Sequence, residues 1–111
     1  MVFITAEIGT NHVGDMDIAK KIIDVAVRAG CNAVKFQKKD VENIYSKEFL
    51  DSYLESPWGT TQREMRINRE FSIEQFKEID DYCKSKEIEW YVSCWDTKSQ
   101  NEMRQFNTKY N

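Results

Sequence analysis

Short apolar runs alternate with helical stripes from the start of the chain. Residues 2–8, "VFITAEI", make an apolar run of strand length, and residues 32–37, "NAVKFQ", make a second. Between them, in residues 15–29, Ile18, Ile22, Val25 and Ala29 recur at helical spacing, with Ala19, Ile23 and Ala26 beside them. Asp15 is placed to cap that helix, and Gly30 stands where a left-handed residue closes a helix end. Strand, helix and strand within roughly 35 residues imply parallel strands joined by a right-handed crossover.

Two more helices are signalled by their caps. Ser72-Ile73-Glu74-Gln75 fits an S-x-x-Q capping box, and Thr97-Lys98-Ser99-Gln100 fits T-x-x-Q. Phe76, Ile79 and Cys83 share one helical face and are expected in the core. Residues 88–95, "IEWYVSCW", read as a third parallel strand. The glycines (9, 14, 30 and 59) and Pro57 fall between these segments. Three parallel strands leave two open edges, so the series is expected to continue into a barrel or a larger sheet, with this chain as a fragment.

Composition narrows the class. Hydrophobic content of 41% and charged content of 32% describe a globular chain with no sign of disorder. Lys+Arg 16 against Asp+Glu 19 gives a net charge of −3, which argues against a nucleic-acid surface. No apolar run approaches the roughly 18 residues of a membrane helix. The opening "MVFITAEIG" has neither the basic region nor the cleavage site of a signal peptide. Cys31, Cys83 and Cys94 are far apart and form no CxxC, so they read as buried thiols of a cytoplasmic protein, not as a zinc site.

Glu7 is the first chemical oddity. A carboxylate near the end of an apolar strand must be either solvated or paired, because an unpaired buried charge is costly. Alternation puts Ile4, Ala6 and Ile8 on one face of the first strand, and Phe3, Thr5 and Glu7 on the other. In the second strand Val34 and Phe36 oppose Ala33, Lys35 and Gln37. If the apolar faces meet the helices, Glu7, Lys35 and Gln37 converge near the strands' C-terminal ends, on strands about 4.8 Å apart. Active sites of (β/α) barrels lie at that end. An ordinary Lys–Glu pair filling the top of a small sheet is the plainer alternative. In the third strand, either Tyr91 and Ser93 or Trp90, Val92 and Cys94 turn to that face. A Schiff-base role for Lys35 needs a neutral amine, and a neighbouring Glu7 opposes that.

Two loops carry further candidates. Asn11 and His12, in "TNHVGD", either contact substrate or order the loop, with His12 bonded to Asn11 or Asp15. The connection before Ser72 runs to roughly 35 residues with no periodic element, a length more typical of functional or flexible segments. Its Arg63, Arg66 and Arg69 recur every third residue with Glu64 and Glu70 interleaved. They would meet an anionic substrate as part of a lid, or make local ion pairs. Trp58 is placed to anchor such a lid.

The stretches "AEIGTNHVGDMDIAKKIIDVAVRAGCNAVKFQKKD", "SPWGTTQREMR" and "EFSIEQFKEIDDYCKSKEIEWYVSCWD" resemble the sialic acid synthase family, including its legionaminic acid branch. The resemblance covers essentially the whole chain. It implies an α/β fold, with residues 1–111 as the N-terminal part (about three βα units) of a TIM (β/α)8 barrel. The rest of the barrel and a C-terminal antifreeze-like domain are expected elsewhere. It further implies a transferase that condenses phosphoenolpyruvate with an N-acetylated hexosamine, giving a nonulosonic acid and phosphate. By resemblance Glu7 contacts the sugar and shuttles protons, Lys35 meets phosphoenolpyruvate, and Gln37 holds the acceptor. Cys94 takes the place of a small hydroxyl residue that contacts phosphate, so that contact is lost, moved to Ser93 or made by backbone. A divalent metal (manganese or magnesium) is implied with ligands outside this chain, as is a homodimer of the full-length enzyme. Other readings are a related phosphoenolpyruvate-condensing synthase and a non-catalytic anion-binding fragment.

Overall fold

The first βα unit forms where the apolar pattern places it. The computed structural model describes residues 2–109. β1 (Thr5–Gly9) leads to α1 (Met16–Arg28) and then to β2 (Ala33–Lys38). β1 is shorter at its start than its apolar run, and Val2, Phe3 and Ile4 are exposed. The Asp15 carboxylate caps α1, accepting from the amides of Asp17 (2.8 Å) and Ile18 (3.2 Å). At the other end Gly30, at φ +84°, donates to the Val27 carbonyl while Cys31 donates to that of Ala26. Those paired bonds make a Schellman closure. The buried stripe of α1 is Ala19, Ile23 and Ala26, whereas Val25 is 54% exposed. The small residues at 19 and 26 let the helix axis approach the sheet, and the row containing Val25 turns outward.

The segment from Lys39 to Phe71 is built, contrary to its lack of periodicity. It holds α2 (Val41–Ile44), α3 (Lys47–Asp51), an antiparallel hairpin of β3 (Tyr53–Ser56) and β4 (Gly59–Thr61), and α4 (Gln62–Asn68). Pro57 sits in the hairpin turn, and the Ser56 hydroxyl donates to the Gly59 carbonyl at 2.9 Å. The longest of these elements, α4, has seven residues, too few to print a helical stripe.

α5 (Ile73–Ser85) opens on the capping box, with both reciprocal bonds between Ser72 and Gln75 present. β5 (Glu89–Cys94) and α6 (Thr97–Met103) follow. The cap of α6 is Asp96, not Thr97. One carboxylate oxygen accepts from the Ser99 amide at 2.7 Å and the other from the Asp40 amide at 2.7 Å. A charged acceptor that ties two segments together outcompetes the hydroxyl one residue further on.

The parallel sheet has the order β1-β2-β5. Its helix-facing side buries Ile8, Val34, Phe36 and Trp90 against Ile23, Phe76, Ile79 and Cys83. Phe36 meets Phe76 (6.2 Å, 83°) and Trp90 (6.4 Å, 77°) edge to face, and the Trp90 indole N–H donates to Asp80 at 2.8 Å. All three cysteines are free thiols, and burial pushes Cys83 up to about 12. No described helix is long and apolar enough to cross a membrane.

Candidate active site

The polar side of the sheet gathers Glu7, Lys35, Gln37, Tyr91 and Ser93. Register sets this: Glu7 lies opposite Lys35, Lys35 opposite Tyr91, and Gln37 opposite Ser93. Lys35 Nζ sits 2.7 Å from Glu7 Oε2, with side-chain exposures of 30% and 48%. The hydrogen bond that Lys35 donates to Glu7, followed by the charge of that carboxylate, holds the Lys35 ammonium above the ordinary lysine range. Glu7 is therefore both solvated and paired, which answers the objection to a carboxylate in an apolar strand. The charged amine also weighs against Schiff-base chemistry.

A bulge shapes the space beside the pair. After Glu7–Lys35, the next partners are Gly9 and Phe36, so β1 advances two residues for one on β2. Gly9 has φ +55°, and a Cβ there would lie 3.3 Å from Glu7 Oε1 and 3.5 Å from Gln37 Nε2. Glu7 and Gln37 thus reach toward one point, and glycine leaves that point open. On the opposite flank the Tyr91 hydroxyl donates to Thr5 Oγ1 at 3.1 Å, tying β5 to β1 across β2. Tyr91 is a residue that alternation left undecided. Only the β2–β5 register places it beside Lys35.

The structure does not bring every candidate to this face. Ser93 is on it, but Cys94 pairs with Lys38 on the helix-facing side and packs against the core. Burial raises the Cys94 thiol above its ordinary value, with Asp96 adding to the effect. His12 is 1% exposed and stacked on Phe71 at 3.8 Å, with Nδ1 accepting from the Gly14 amide at 3.0 Å. Burial, then the charge of Arg69, lowers its pKa to about 4, against an opposing bond with the Gly9 backbone. His12 orders the loop through its ring nitrogen, bonded to the Gly14 amide, and through its carbonyl, which accepts from the Asp15 amide at 2.9 Å. Asn11 is exposed in the turn after β1, its amide donating to the Ile8 carbonyl at 2.9 Å.

The three arginines serve the connection itself. Arg63 pairs with Glu42 and Asp51. Arg66 donates to Tyr45 (3.0 Å) and Gln62 (3.2 Å) and lies over the Tyr45 and Phe49 rings. Arg69 sits over Trp58 at 5.5 Å and donates to the Thr10 carbonyl at 3.2 Å, so Trp58 is anchored to the turn after β1 through this guanidinium. Among the described residues no group of three His, Cys, Asp or Glu side chains is arranged to hold a metal ion.

The NeuB family model matches residues 22–110. The chain is 36% identical to N-acetylneuraminate-9-phosphate synthase of Drosophila melanogaster, over 98% of this chain and 30% of that protein. It is 32% identical to N,N'-diacetyllegionaminic acid synthase of Legionella pneumophila, over 87% of this chain and 28% of that protein. Among solved structures it is similar to N-acetylneuraminic acid (sialic acid) synthetase from Leptospira borgpetersenii, crystallised in complex with citrate. The TM-score is 0.77 at 25% identity, over 97% of this chain and 34% of that one. The chain spans about 30% of the length of the relatives it matches. On the family model and on relatives aligned along nearly its whole length, the chain belongs to the NeuB family.

Proposed function

We propose that this chain is the first part of a (β/α) barrel synthase that joins phosphoenolpyruvate to an N-acetylated hexosamine. The observation that carries the reading is the Lys35–Glu7 pair at 2.7 Å, on the open face of parallel strands, with the Gln37 amide directed to the same space. Family membership supports it, since the relatives are named as sialic and legionaminic acid synthases.

In this reading the Lys35 ammonium meets the carboxylate and phosphate of phosphoenolpyruvate, and Glu7 keeps it charged. Gln37, beyond Lys35 along β2, hydrogen-bonds the acceptor sugar and sets its aldehyde near the enol carbon. C3 of phosphoenolpyruvate attacks that aldehyde. Water adds at C2, and the C–O bond to phosphate breaks, releasing inorganic phosphate and leaving the 2-keto acid. Glu7 carries a proton between the water and the new hydroxyl, and Ser93 offers its hydroxyl to the departing phosphate. The divalent ion implied by resemblance, manganese or magnesium, has no ligand set among the described residues, and no step here passes through it.

The test is phosphate release by the full-length protein that contains this segment. With phosphoenolpyruvate, N-acetylmannosamine and manganese present, phosphate and a nonulosonic acid should form in equal amounts. Phosphate released at the same rate without the sugar would overturn the reading.

A further inference from the structure

The ladder between β1 and β2 ends at the Gly9–Phe36 pair, one residue short of Gln37, and the bulge interrupts it just before that pair. Strand pairing therefore sets the gap between Glu7 and Gln37 only loosely, at the end where both side chains reach toward one space.

Arg69 and Glu70, neighbours in the chain, hold one strand end each. Arg69 Nη2 donates at 3.2 Å to the carbonyl of Thr10, the first residue after β1. Glu70 Oε1 accepts at 2.9 Å from the amide of Lys39, the first residue after β2. The two grips are one step of chain apart, about 3.8 Å between Cα atoms. They arrive from 59 and 31 positions away, so neither is a local cap.

Both flanks of the pair are seated. Phe71 is buried, stacked on His12 at 3.8 Å, with its ring 6.5 Å from that of Phe36. On the other flank, a Cβ at Gly14 would lie 2.2 Å from the Asn68 carbonyl oxygen, so the turn after β1 rests against the end of α4. Arg69 Nε is buried with no partner among the described residues. Native folds leave few buried polar groups unmatched, so filling space is a poor reason for a guanidinium here.

We propose that Arg69 and Glu70 are positioning residues that fix the gap between Glu7 and Gln37, and with it the fit of the acceptor sugar. The proposal rests on the functional reading above, in which Glu7 and Gln37 line the reaction site. Arg69 acts through the backbone at the end of β1, and Glu70 through the backbone at the end of β2. A segment that contributes no group to the chemistry thereby sets the distance across which the chemistry occurs.

The experiment measures kcat/KM for N-acetylmannosamine in the full-length protein at saturating phosphoenolpyruvate. Glu70→Ala should lower it by about tenfold to a hundredfold, the usual cost of a small misplacement. Glu70→Gln keeps an oxygen for the Lys39 amide and should restore most of the loss. In a Gln37→Ala background, Glu70→Ala should cost less than about threefold, because the side chain it positions is already gone. Arg69→Met should behave as Glu70→Ala does, and it carries the test if Glu70→Ala does not fold. Unchanged kcat/KM, a loss as large without Gln37 as with it, no recovery in Glu70→Gln, or failure of both variants to fold would overturn the proposal. If the wild type does not condense the sugar, the functional reading fails, and hydrogen exchange read by mass spectrometry still decides the clasp. Arg69→Met/Glu70→Ala should exchange about tenfold faster over residues 8–12 and 36–40, with α1 and α5 unchanged. Exchange that is unchanged at both strand ends, or raised evenly along the chain, would overturn it.

Discussion

The two sides of the parallel sheet are cut from the same strands and obey different rules. On one side Ile8 and Val34 are buried with Phe36 and Trp90, whose rings meet edge to face. On the other, one residue away along each strand, Glu7, Lys35, Gln37 and Ser93 keep contact with solvent. The helix side is ruled by volume, where each lost methylene leaves a cavity. The open side is ruled by charge and direction, where the same loss leaves an unpaired group but little void. Substitutions on the two sides should therefore separate stability from chemistry.

The widest separation is expected between Phe36→Ala and Glu7→Gln in the full-length protein. Phe36→Ala should cost about 3–5 kcal/mol of stability, read from urea unfolding. Glu7→Gln should move the urea midpoint little yet lower turnover by about 10²–10⁴, as expected for loss of a proton carrier. Matching losses of stability and turnover in Glu7→Gln would assign the pair to structure alone.

A smaller effect tests whether His12 belongs with the buried set. Its imidazole is held neutral in the fold, with a pKa of about 4 against an ordinary 6.5. The native state thus resists a proton that the unfolded chain accepts. That stabilisation is full above pH 6.5 and is lost as pH falls toward 4, by on the order of 2–3 kcal/mol. His12→Gln should unfold with a flatter dependence across that window. A slope unchanged by the substitution would show that other groups set it.

The smallest expected difference lies between neighbours. Ser93→Ala should reduce kcat/KM several-fold, about the worth of one hydrogen bond. Cys94→Ala, on the helix side, should leave kcat/KM within about twofold. The reverse order would mean that the β5 register is not the one that positions the site.

Much of this was legible in advance, for a local reason. Asp15, Ser72 and Gly30 mark helix ends because capping needs only residues a few positions apart. The common face of Glu7, Lys35 and Gln37 follows from strand parity alone. The connection before α5 was opaque because Arg63, Arg66 and Arg69 find their partners at positions as distant as Glu42, Tyr45 and Thr10. No periodicity records such pairings.

The sequence by itself determined the three βα units and the pairing of an acid with an ammonium near two strand ends. Caps, stripes and alternation act over one or two turns of chain. Tertiary structure decided the rest: the bulge that opens space at Gly9, the placement of Ser93 and not Cys94 on the polar side, and the burial of His12 beneath Phe71. Each depends on register or packing between segments far apart in the chain, and those are settled only when the strands meet.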